Sequence, residues 1–205
     1  TTSDIGRKKC RKMKQLALRT FISTAAILIA QTATAAGMSM AAPRTCVLTQ
    51  QQVAAELAAD YTSFDQTMTG DGSWRPLVNE GCYEAAAGMI SRYLEKNSGA
   101  LSPEQIWTLD FHAGQTLAMG GRDADSISWF EKSRNPGSGR EWLAYVDATL
   151  AFLKKNHESL LTARAAYLAA TSANAPRLAV IDGFLACESK TYLEAMMCAP
   201  KKNGP

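Results

Sequence analysis

Apolar side chains recur at three- and four-residue intervals along most of this chain, the spacing that builds one face of an α-helix. In residues 50–66 the stripe is Val53, Leu57, Tyr61 and Phe64, and in residues 83–96 it is Ala86, Met89, Ile90 and Tyr93. Residues 74–79 read as a short helix broken by Gly81. Ser102-Pro103-Glu104-Gln105 is a helix start, because serine caps a first turn and proline suits its first position. Turn-forming clusters at residues 69–73, 97–99, 135–139 and 172–176 separate the periodic stretches. No segment alternates with period two, so no sheet is expected and the fold class is all-α.

The helical stretches repeat. Similar segments begin at Trp107, Trp142 and Pro176, 35 and 34 residues apart, and a fixed period in that range is the signature of stacked helix pairs. The first copy carries Gly114 and Gly121, for which the resemblance named below implies a close helix approach and the turn between helices. Ile127 and Phe130 lie on the packing face of its second helix. In the second copy Ala148, Thr149 and Phe152 take the packing slots, Asn156 the turn and Ala165 the second-helix contact. Gly183, Lys190 and Ala195 fill the corresponding places in the third. A degenerate earlier copy has Gly81, Ala86 and Ile90. With these positions the segment resembles the tetratricopeptide-repeat family, as an exported bacterial member, over residues 73–197. Asp110 departs from the family pattern at a slot usually filled by a large apolar side chain, and Ser126 and Ser133 replace alanines.

The resemblance implies a right-handed superhelical stack of antiparallel helix pairs, an α-solenoid of about three to four hairpins. It also implies that the first helix of each pair lines a concave groove. The exposed positions would be Phe111, Gln115 and Met119, then Val146, Leu150 and Lys154, then Val180, Phe184 and Glu188. Such an apolar patch would accept a protein or peptide segment. A curled terminus, or residues 50–66, lying over these side chains would instead make them core.

The front of the chain changes the picture of charge and location. Residues 13–35 read as a signal peptide: Met13-Lys14 opens a basic segment closed by Arg19, an uncharged apolar run covers residues 21–30, and Ala33-Thr34-Ala35 is an A-x-A cleavage site. Residues 1–12 read as an upstream segment outside the native protein. Residues 36–48 are expected to be a flexible lead-in, 49–199 a single helical-repeat domain and 200–205 a disordered tail. The whole chain has 22 Lys and Arg against 19 Asp and Glu, a net of +3. Removing the seven bases and one acid of residues 1–35 leaves 15 bases and 18 acids, a net of −3. No basic patch with interleaved aromatics survives, so nucleic acid is not an expected partner, and contact with a membrane is expected only transiently, through the signal peptide. The expected location is the periplasm or the secreted space.

Setting aside Cys10 in the leader, the remaining cysteines are Cys46, Cys82, Cys187 and Cys198, an even set suited to an oxidising compartment. Proximity favours Cys46–Cys82 and Cys187–Cys198. Two full antiparallel helices would offset the second pair by roughly 10 Å, beyond a disulfide's usual reach, unless the last helix is short or bent.

Candidates for chemistry are few. His112 and His157 are 45 residues apart and form no metal-ligand spacing. Asp110 and His112 are two apart, so on a helix they face different ways. No G-x-S-x-G elbow occurs, and Gly120-Gly121-Arg122-Asp123 joins helices rather than following a strand. Asp123 and Asp125 suit a helix N-terminus better than catalysis. No cofactor, metal or enzymatic activity is expected. The sequence points to an adaptor for protein or peptide in the cell envelope. The alternative is a module for carbohydrate or peptidoglycan fragments, in which Trp74, Trp107, Trp129 and Trp142 stack on sugars.

Overall fold

In the computed structural model, residues 46–67, 74–171 and 175–198 are described. The proposed upstream segment, the signal peptide with its cleavage site, the tail at 200–205, and the turn clusters at 69–73 and 172–174 lie outside them. All regular structure among the described residues is helical. The α-helices are α1 (Gln50–Ala58), α2 (Arg75–Asn79), α3 (Tyr83–Asn97), α4 (Pro103–Met119), α5 (Asp123–Ser133), α6 (Arg140–Leu153), α7 (His157–Ala170), α8 (Pro176–Ala186) and α9 (Tyr192–Met196). None is long and apolar enough to cross a membrane.

The start of α4 follows from local chemistry. Ser102 Oγ accepts from the Gln105 backbone N–H, and the Gln105 side chain accepts from the Ser102 N–H, so two otherwise unpaired donors are satisfied reciprocally. Thr49 and Thr191 cap α1 and α9 in the same way. Residues 50–66 differ from the single helix expected of them. α1 stops at Ala58, and the chain turns again at Asp60, whose carboxylate accepts from the Ser63 N–H and hydroxyl. A π-helical turn, Thr62–Gln66, follows, with the Thr67 N–H reaching back to the Thr62 carbonyl.

Three helix ends close alike. After α2, α4 and α6 the chain enters a left-handed residue, Gly81 (φ 79°), Gly121 (φ 76°) and Lys155 (φ 53°). The next residue's N–H then bonds to the carbonyl five positions back: Cys82 to Leu77, Arg122 to Leu117, Asn156 to Ala151. Asn156, expected at the turn itself, is instead the cap of α7 and accepts from the Ser159 N–H. His157 is accordingly the first residue of α7, not part of a turn.

The most extensive pairings are α4 with α5, α6 with α7 and α3 with α4. α4 divides the interior. Its Leu109 and Ala113 join Phe64, Trp74, Ile90 and Tyr93 on one side, and its Phe111 and Ala118 join Phe130, Phe152, Phe184 and Tyr192 on the other. Each such large side chain contributes roughly 1.5–3 kcal/mol by leaving water. The serines that replace alanines are wholly buried, with hydroxyls donating to carbonyls three residues back: Ser126 to Asp123 and Ser133 to Phe130.

Both expected cysteine pairs are at disulfide distance, with Cα separations of 5.4 Å for Cys46–Cys82 and 6.3 Å for Cys187–Cys198. The second closes because α9 is only five residues long and Cys198 lies just past its end. Two such pairs point to an oxidising compartment.

The apolar side chains expected to line the groove pack into the interior. α9 returns to contact α4 as well as α8, and the Tyr192 ring packs beside Phe130, Phe152 and Phe184. Val146 and Phe184 are completely buried, while Phe111 and Leu150 are 4% and 7% exposed. Met119 and Val180 are half-buried against the same core. Gln115 and Glu188 are half-buried and Lys154 is exposed. The apolar stripe is interior, not an open surface.

Candidate functional site

The π-helical turn delivers Asp65 into the protein, where the residue is completely buried. Oδ1 accepts from the Trp74 indole N–H at 3.2 Å and meets His112 Nδ1 at 2.7 Å. Oδ2 accepts from the Gln66 amide at 2.5 Å, and that amide also donates to the Tyr61 hydroxyl at 3.1 Å. Arg75 donates through Nε and Nη2 to the Asp65 carbonyl at 3.0 and 2.6 Å, and its guanidinium lies over the Trp74 ring at 4.2 Å.

Burial pushes the Asp65 carboxyl up. The His112 hydrogen bond and the charges of His112 and Arg75 outweigh it, and the group sits below the ordinary carboxylate range. Desolvation, reinforced by the nearby Asp65 charge, pushes the Tyr61 phenol up to about 12. The cluster is a buried carboxylate with donors from three elements.

His112 also opens onto a cleft of about 990 Å³. α4 forms its floor through Trp107, Thr108, Phe111, His112 and Gln115. α6 adds Trp142 and Tyr145, and the 137–139 loop, Arg75 and Arg177 complete the wall. Trp142 is fixed by donation to the Ser133 carbonyl at 2.9 Å. Arg177 is held by Glu141 at 3.1 Å and lies 5.4 and 5.5 Å from the Trp142 and Tyr145 rings. The two guanidiniums thus carry fixed positions within one cleft.

Of the expected groove residues, only Phe111 and Gln115 line this cleft. Leu150 and Lys154 line another, of about 770 Å³, with Arg134, Asp147 and residues of α7. Trp107 and Trp142 are brought together, whereas Trp74 is core and Trp129 lies under Lys132 at 4.2 Å. Asp110 and His112 face different ways, as their spacing implies. Asp110 is 7% exposed, and burial pushes its carboxyl up to about 6, against the opposing charge of Lys132. His157 Nδ1 meets Glu188 Oε1 at 2.5 Å on the surface. No group of three or more metal-ligating side chains gathers among the described residues.

The pair that sequence reasoning missed is Asp65–His112, 47 residues apart. The available signal for His112 was the run Thr108, His112, Gln115, a polar line at helical spacing along α4. Asp65 gave none. Compared with protein-family models, with curated proteins and with solved structures, the chain gives no match.

Proposed function

We propose that this is an exported helical-repeat protein of the cell envelope, built as a solenoid of helix hairpins, whose cleft over α4 and α6 binds an extended acidic peptide segment of a partner protein. The three left-handed turns at Gly81, Gly121 and Lys155 support the repeat reading, because the spacing from the second to the third is one period. The observation that carries the binding reading is the presence of Arg75 and Arg177 in one cleft, each already held by a protein acceptor. Anchored guanidiniums lose little side-chain freedom on meeting a carboxylate.

Titration of tryptophan fluorescence with hexaglutamate, hexalysine and chitotriose tests the reading. Trp107 and Trp142 report from the wall. The expected outcome is saturable binding of hexaglutamate, weakened by added salt and by Arg177→Ala. Equal response to hexalysine, or none to either peptide, defeats it. The same two indoles favour a second reading, carbohydrate binding, which response to chitotriose alone would support.

A further inference from the structure

The Asp65–His112 contact fixes more than a side-chain position. An ionised carboxylate accepts hydrogen bonds and donates none, so the ring nitrogen facing it at 2.7 Å carries a proton. In the neutral ring the lone pair is then on Nε2. No hydrogen bond among the described residues engages Nε2. Nor is Nε2 enclosed: the buried side-chain nitrogen or oxygen without a partner is the Tyr192 hydroxyl, while the His112 side chain is 18% exposed and lines the cleft. The carboxylate cannot swing away, since Trp74 and Gln66 hold its two oxygens.

We infer that Nε2 of His112 is the specificity-determining acceptor of the cleft, taking a backbone N–H of the bound peptide between carboxylates met by Arg75 and Arg177. This rests on the peptide-binding reading of the cleft and deepens it. The orienting carboxylate is what makes the ring selective: a free imidazole exchanges tautomers and offers donor or acceptor alike, whereas this one, when neutral, offers the cleft only an acceptor.

The chain provides its own control, because its second histidine, His157, pairs with the exposed Glu188 on the surface. The test uses the full chain, 15N-labelled at histidine, with hexaglutamate as the probe. Two-bond 1H–15N spectra of the neutral protein should show His112 protonated at Nδ1 and bare at Nε2. Asp65→Asn should weaken the preference for Nδ1, since the amide oxygen kept towards Trp74 and the ring is a poorer acceptor than a carboxylate. Hexaglutamate affinity should fall about tenfold in His112→Ala. It should be largely retained in His112→Gln, whose amide oxygen can stand near Nε2, and unchanged in His157→Ala.

A ring protonated at Nε2 in the unaltered chain overturns the inference, and so does undiminished binding by His112→Ala. If Asp65→Asn fails to fold, the spectrum of the unaltered chain and the Ala and Gln pair at position 112 still decide. Absence of any hexaglutamate binding by the unaltered chain overturns the peptide reading itself, which separates that failure from loss of selectivity at His112.

Discussion

A Cβ atom placed on Gly114 would stand 3.1 Å from the ring of Phe130, closer than ordinary packing allows. The glycine is in mid-α4 and the ring, fully buried, comes from α5. The missing side chain is what lets the two helices of this pair approach. Phe130 also packs edge-on against Phe111 at 4.9 Å, so it has little room to yield. Gly114→Ala gains helix propensity of under about 1 kcal/mol yet forces a methyl against an aromatic wall, which typically costs about 1–3 kcal/mol. The expected result is a net loss of stability in urea unfolding; a gain would show that the ring moves freely.

Lys155 occupies the left-handed turn position that Gly81 and Gly121 fill elsewhere. A non-glycine residue there costs roughly 1–2 kcal/mol. Its ammonium lies over the Phe152 ring at 4.3 Å, but on an exposed side chain that contact returns at most about 0.5–1 kcal/mol. Lys155→Gly is therefore expected to raise the melting temperature by a few degrees. A lowered Tm would mean that the ring contact outweighs the backbone strain.

The Tyr192 hydroxyl is buried without a hydrogen-bond partner, and burial drives its pKa well above the usual phenol value. Tyr192→Phe keeps the ring contacts with Phe130, Phe152 and Phe184. An unpaired buried hydroxyl costs about 1–3 kcal/mol, so the variant is expected to be more stable by a fraction of that. A loss of stability of 1 kcal/mol or more on thermal unfolding would show that the neighbouring Gln115 side chain engages the hydroxyl.

What the sequence made legible is local. The capping of α4 needs only Ser102 and Gln105, three positions apart, and the turn at Gly121 needs only its own freedom at positive φ. Gly114 was readable because the tetratricopeptide resemblance put a small residue at its slot, where two helices approach. The burial of Phe184 was not, because it depends on Tyr192 of α9, whose helix also returns to α4 in a contact between segments some eighty residues apart such as Gln115 to Met196. The candidate site was hidden for the same reason. Asp65 sits in a stretch whose apolar spacing reads as one helix, whereas the structure interrupts it at Asp60 and turns the carboxylate towards His112. Periodicity reports which face is apolar, and it carries no information about which distant carboxylate a lone histidine will meet.

Two buried carboxyls should give the stability of this protein opposite pH dependences in separate windows. Asp110 is held protonated by burial, with its pKa pushed up to about 6 from 3.8. Between those values the folded state binds more protons than the unfolded one, so stability falls as pH rises through the window, by about 2–3 kcal/mol at most. Asp65 is lowered, so it contributes stability above the unfolded carboxyl range and loses it as pH falls through its folded pKa. Asp110→Asn should then stabilise more at pH 7.5 than at pH 4, whereas Asp65→Asn should destabilise strongly at pH 7.5 and less near pH 3. Melting temperatures of both variants across pH 3–8 check the signs together. A benefit of Asp110→Asn that stays constant with pH would show that the carboxyl has the same pKa folded and unfolded, with Lys132 just offsetting burial.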